Sequence, residues 1–277
     1  MKVLIILAAV LICFSSLTAQ TDLQEMVDAE HAFAQLAADK DTRTAFLANM
    51  TSDAVVFVPE QTNAKSFWEA KTPNQSLLSW APNFADITSS GILGYTTGNW
   101  EFRAKGKDDT PSAFGEFITL WLRQPDGKYK WVVDIGVTHQ KPDRYSTDWT
   151  TATPEKTQKS STSVPTSNPA EEFYHLVAAK GVTKAYDNFA DDNIRSYREG
   201  SLPILGKKNV LKLLKNDKAK ITFAKRSTAF AAGDIAYNLT SYTKTLDGKI
   251  EKGNFLQIWK FYNGKWHIVL DIFKLIP

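Results

Sequence analysis

Gly115-Glu-Phe-Ile-Thr-Leu-Trp121 returns 138 residues later as Gly253-Asn-Phe-Leu-Gln-Ile-Trp259, and this echo decides how the chain is organised. Downstream, Gly127-Lys-Tyr129 and Asp134-Ile135 match Gly264-Lys-Trp266 and Asp271-Ile272 at an offset of 137. Upstream, Gly91 and Tyr95 match Gly233 and Tyr237 at 142. Phe33, Ala45, Phe46 and Phe57 match Phe173, Ala185, Tyr186 and Tyr197 at 140. An offset that drifts by such small steps is what loop-length changes leave behind in a duplicated module.

Within each half the elements come in one order. Met26, Phe33 and Leu36 recur at helical spacing, the polar turn Asp39-Lys-Asp-Thr42 interrupts them, and Ala45-Phe46-Leu47 begins a second helix. A strand follows at Val55-Val-Phe-Val58. The half closes on a hairpin: Phe117, Thr119, Trp121 and Arg123 alternate, Pro125-Asp126-Gly127 turns, and Trp131 to Ile135 returns. In the second half Asn263-Gly264 makes a tighter version of that turn. Helices followed by antiparallel strands imply an α+β fold, with helices on one face of a curved sheet. From Gln140 to Pro169 the composition shifts to Ser, Thr, Pro and Lys and apolar periodicity stops, so 140–169 reads as a linker between modules at 22–139 and 170–277.

The first 19 residues have the layout of a cleavable signal peptide: Lys2, an apolar run from Val3 to Phe14, and small residues up to Ala19. The expected location is secreted or periplasmic. The apolar run is shorter than the roughly 20 residues a membrane span needs, and no later stretch is apolar enough to cross a bilayer. The only cysteine is Cys13, inside that run. Ile12 before it is bulkier than a lipidation site wants. Once the leader is removed the chain has no thiol, which excludes disulfides, thiolate zinc sites and cysteine nucleophiles.

A net charge of +3 gives no reason to expect a nucleic-acid partner. One stretch departs from that balance. Lys207, Lys208, Lys212, Lys215, Lys218, Lys220, Lys225 and Arg226 stand against Asp217 alone. Val210, Leu211, Leu213 and Leu214 run beside them, so the stretch reads as a surface helix with a solvated face, or else as an anion or membrane-surface patch.

Several first-half motifs, in order, carry a resemblance: Glu30-His-Ala-Phe33, Ser52-Asp-Ala-Val-Val-Phe57, Trp80-Ala-Pro82, Gly94-Tyr-Thr-Thr-Gly98 and Asp134-Ile-Gly136. They resemble the SnoaL-like branch of the nuclear transport factor 2/ketosteroid isomerase superfamily. The second half is similar through its helix pattern, strands and closing hairpin. The resemblance implies two cone-shaped modules, each a curved antiparallel sheet wrapped around N-terminal helices, with an apolar pocket at the open end. Family members include isomerases, dehydratases and hydrolases, and also binding and dimerisation domains, so fold does not select the function. Where members do acid–base chemistry, they use a carboxylate or a His-Asp pair with an aromatic donor. His31, Asp134 and Tyr95 are the constellation this implies. The family often has Asp where this sequence has Ile92, which weakens the catalytic reading.

Comparing the halves sorts the remaining candidates. Asp134 and Asp271 occur in both, so Asp134 is either a general base or a hydrogen-bond acceptor that fixes the sheet. Trp68, Trp80 and Trp100 lack an aromatic match in the second half, and with Phe57 they would line an apolar first-module pocket or fill its core. Glu116 stands opposite Asn254 on the apolar face of its strand, where burial would raise its pKa, or else at the strand's exposed start. No histidine pair has metal-ligand spacing and no phosphate loop or nucleophile elbow occurs, so no metal and no cofactor are expected. Three function classes stay open: a binding protein for a small apolar molecule, a cofactor-free isomerase, dehydratase or hydrolase, and an interaction protein. In the last, the two modules pair within the chain, or two chains form a homodimer.

Overall fold

The structure, a computed structural model, describes residues 2–145, 148–152, 169–224 and 228–277, with side chains from Thr21 onward. The side chains of residues 1–20, Cys13 included, residues 146–147 and 153–168, and Lys225 and Arg226 lie outside the described residues. Helix α1 (Lys2–Asp39) buries Met26, Glu30, Phe33 and Ala37, the spacing of one helical face. Asp41 caps α2 (Thr42–Asn49), its Oδ1 accepting the Thr44 N–H at 2.8 Å. Strands β1 (Met50–Phe57) and β2 (Gln61–Asn63) and helix α3 (Ala64–Glu69) follow. A meander then runs through β3 (Leu77–Ile87), β4 (Leu93–Arg103), β5 (Ala113–Arg123) and β6 (Tyr129–His139).

The second half repeats this plan. Helices α4 (Pro169–Lys180) and α5 (Val182–Phe189) precede β8 (Ala190–Arg198), β9 (Ile204–Leu205) and α6 (Lys207–Asn216). Strands β10 (Lys220–Phe223), β11 (Thr228–Ala232), β12 (Ile235–Leu246), β13 (Lys249–Tyr262) and β14 (Lys265–Ile276) complete it. Helix α6 buries Val210 and Leu214 and exposes Lys208, Lys212 and Lys215, which is the solvated-face reading of the basic stretch. Among the described residues, no helix is long and apolar enough to cross a membrane.

Each half forms a seven-stranded sheet. The hairpins are antiparallel as expected, but β1 joins β6, and β8 joins β14, in parallel, so both sheets are mixed. In each copy the chain leaves the first strand through a helix and the meander before returning beside it, the long connection a parallel pair requires. The linker is not wholly apart from the fold. Thr150–Thr151 forms β7, pairing in parallel with β3 and covering part of that strand's open edge.

The repeated glycine has a packing reason. Trp100 stands opposite Gly115, and a Cβ there would come within 2.4 Å of the indole. Tyr242 stands opposite Gly253, and a Cβ there would meet its ring at 2.2 Å. Trp100 therefore has an aromatic counterpart after all, and so does Trp80: it pairs with Trp100 as Phe223 pairs with Tyr242. Both copies also carry a bulge, at Val132 and at Val269, where one residue is skipped in the pairing. The bulge resets the alternation, so that Trp131 packs under the helices while Val133, Ile135 and Val137 face away from them.

Facing away does not mean facing water. Ile118, Leu120 and Ile135 of the first sheet form one buried cluster with Leu256, Ile258 and Leu270 of the second. The two sheets therefore share a core, and polar groups tie its margins. Thr97 Oγ1 lies 3.0 Å from Tyr197 Oη, and Lys274 Nζ donates to the Gly136 carbonyl at 2.8 Å. Lys260 is fully buried with Asp86 at 3.3 Å, Asp234 at 3.4 Å and the Ile87 carbonyl at 2.9 Å. Asp234 also accepts the Ser89 N–H at 2.9 Å.

Removing one partner of such a cluster leaves buried charge without compensation. Lys260→Met is expected to cost about 3–5 kcal/mol in urea unfolding, with most of the loss recovered when Asp86→Asn and Asp234→Asn are added. A neutral Lys260→Met would mean the cluster does not hold the seam.

Candidate functional site

Strand parity separates the candidates onto two faces. On the helix-facing side of the first sheet the centre is Glu30, fully buried on α1. Its Oε1 accepts the Trp80 Nε1–H at 2.6 Å, and its Oε2 accepts Thr96 Oγ1–H at 2.5 Å and Trp121 Nε1–H at 3.1 Å. Burial raises its pKa, against the pull of these donors. Asp134 lies on the same side, half-buried, and accepts from Thr119 Oγ1 at 3.0 Å. Burial moves its pKa up to about 7, opposed by the Thr119 hydrogen bond and helped by the neighbouring Glu30 charge. In the second copy Asp271 is held by Tyr186 Oη at 2.5 Å, Ser196 Oγ at 2.8 Å and the Arg198 guanidinium. The aspartates match in position but not in environment.

The constellation of His31, Asp134 and Tyr95 is not assembled. His31 is exposed on the outer face of α1. Tyr95 faces the opposite side of the sheet, inside the shared core. Residue 30 rather than residue 31 continues the buried stripe of Met26 and Phe33, which is the signal that identifies Glu30. Phe57 likewise packs into the shared core rather than a first-module pocket.

The tryptophans do lie on the helix-facing side, where aromatic rings fill the space. Phe33 touches Phe46 and Trp80, with ring centroids 4.8 and 4.7 Å apart, and Phe46 touches Trp68 at 4.4 Å. A cleft of about 250 Å³ opens at this end, bordered by Trp68, Phe67, Phe102, Arg43 and Lys71. Trp80 and Trp100 do not border it.

Glu116 is buried on the face turned to the second module, not at an exposed strand start. Asn99 Nδ2 donates to its Oε1, and His139 Nε2 lies 3.5 Å from the same oxygen. Its other oxygen is buried without a partner. Burial moves its pKa up to about 8, moderated by the charge of Arg195 from the second module.

A second cleft, of about 430 Å³, takes its walls from both modules. Phe84 and Tyr95 come from the first, Arg195, Asp191 and Val269 from the second, and Thr150 and Thr151 from the linker strand. The Arg195 guanidinium carbon sits 4.0 Å from the Phe84 ring centroid. Among the described residues no cluster of side chains is able to hold a metal ion.

No protein-family model matches the chain, and no curated protein matches it. Among solved structures it is similar to an NTF2-like protein from Pseudomonas putida at 15% identity, covering 38% of this chain and 80% of that one with a TM-score of 0.32. An NTF2-like protein from Cytophaga hutchinsonii is similar at 12% identity, covering 38% and 92%, with a TM-score of 0.32. An NTF2-like protein with a cystatin-like fold from Novosphingobium aromaticivorans is similar at 10% identity, covering 39% and 77%, with a TM-score of 0.33.

Glu116 and Asp134 retain protons in the folded chain at pH values where the unfolded chain has released them. Stability therefore falls as pH rises from about 4.5 towards 8. Glu116→Gln keeps the hydrogen bond from Asn99 and removes the titration. Its unfolding free energy is expected to fall less steeply across that window, by up to about 1.4 kcal/mol per pH unit. An unchanged slope in denaturant titrations would place the Glu116 proton elsewhere.

Proposed function

We propose that this chain is a secreted small-molecule-binding protein, built as a covalent pseudo-dimer of two SnoaL-like modules of the nuclear transport factor 2/ketosteroid isomerase superfamily. Its site is the cleft between the modules. The observation that carries this reading is a concave space of about 430 Å³ whose walls come from both modules and the linker. That volume suits a small organic ligand, whereas aromatic packing occupies the interior of the first module. Neither module alone has the whole wall. The Trp68-bordered cleft is what remains of the expected tryptophan-lined pocket, and it is the smaller of the two.

A second reading has its own observation. Asp134, with a pKa of about 7 beside Glu30, is suited to take up and return a proton near neutral pH. In that reading the chain is a cofactor-free isomerase, dehydratase or hydrolase working from the first module. Asp134→Asn would then abolish turnover while leaving binding at the seam intact.

Native mass spectrometry of protein purified from its own source tests the first reading. A bound small molecule is expected on the wild-type chain and not on Asn193→Trp, which fills the cleft from its exposed rim. A ligand retained equally by both proteins would move the site away from the seam.

A further inference from the structure

We infer that the seam cleft takes an apolar molecule with an anionic head group, a carboxylate or a sulfonate, anchored by Arg195; this rests on the placement of the site between the modules. Arg195 is the cation on the cleft wall, and among the described residues it enters no ion pair. Its guanidinium stacks on Phe84 at 4.0 Å. Stacking uses the face of the group; a hydrogen bond to Tyr197 takes part of its edge, and the remaining N–H donors are those that would receive a two-oxygen anion.

Acidic groups share these walls, with Asp86 Oδ1 and both Asp191 oxygens engaged by other partners. Asp86 Oδ1 accepts the Ile87 N–H at 2.8 Å and lies 3.3 Å from Lys260 Nζ. Asp191 accepts the Asn193 N–H at 2.7 Å and the Tyr262 hydroxyl. Glu116, whose charge would otherwise offset Arg195 from behind, is protonated at neutral pH because burial raises its pKa to about 8. The Tyr95 hydroxyl has no hydrogen-bond partner among the described residues and belongs to the same wall. It supplies a second donor near the anchor. Phe84, Tyr95 and Val269 offer an apolar surface for the body of the ligand.

Two probes of nearly the same shape separate the charge from the apolar body: 8-anilinonaphthalene-1-sulfonate, and N-phenyl-1-naphthylamine, which lacks the sulfonate. Fluorescence titration of the full chain is expected to show the sulfonate binding about tenfold tighter or more. Arg195→Gln should erase that difference without weakening the neutral probe, and Arg195→Lys, which keeps the charge, should restore part of it. Asn193→Trp should block both probes. If both bind equally, or Arg195→Gln leaves the sulfonate unaffected, while Asn193→Trp still blocks them, the anion preference is overturned and the seam site stands. If Asn193→Trp blocks neither, or neither binds, the seam site falls too. Where Arg195→Gln does not fold, Arg195→Lys against wild type carries the comparison, with an unchanged sulfonate-to-neutral ratio counting against Arg195's geometry as the anchor.

Discussion

Each sheet of this protein has two apolar faces and only one set of helices to cover them. The helices of the first module shield Trp121 and Trp131, yet Ile118, Leu120 and Ile135 on the reverse of the same strands are just as apolar. Left to water, such a face would be a large exposed patch of the kind that drives association. The second module carries the matching face, and the two bury each other in one core. The duplication is thus a way of covering a sheet whose second side has no helices, and the linker keeps the partner permanently at hand.

An apolar seam alone leaves the angle and register between two sheets weakly specified. The polar contacts at its margins constrain both. Lys260, Asp86 and Asp234 form a buried cluster to which each module contributes, so sliding one sheet past the other would strand a charge. The halves are accordingly unequal where they meet. Lys260 corresponds to Leu122, and Asp234 to the exposed Ile92. The acid expected at Ile92 is present in the other copy, where it serves the seam rather than a catalytic pocket.

Much of the fold was legible in the sequence because duplication writes each element twice. The Gly115/Gly253 motif, the closing hairpins and the helix stripes needed only period and spacing. The site was less legible because it depends on which face each residue takes. Tyr95 and Thr96 are neighbours, yet one enters the shared core and the other bonds Glu30. His31 attracted attention as a titratable group, while Glu30 beside it held the buried position. The bulge at Val132 shifts parity just before Asp134, and a simple alternation carried through from Trp131 would misplace it. Trp100 matches Tyr242 at the same offset of 142 as Gly91 and Gly233, so that counterpart was within reach of the overlay. The counterpart of Trp80, Phe223, was harder to find because its strand is split in the second half into β10 and β11. The Arg195 cleft is assembled from segments distant in the chain and had no local signature.

The two modules bury one core between them and so are expected to behave as one cooperative body, with the proposed ligand site on their seam. The most direct measurement is to introduce a protease site at residue 160, cleave the purified protein, and follow the halves by native mass spectrometry and urea unfolding. The account predicts that the cut halves remain a one-to-one complex and unfold in a single transition that depends on protein concentration. Halves that separate, each folded and each melting on its own, would contradict it.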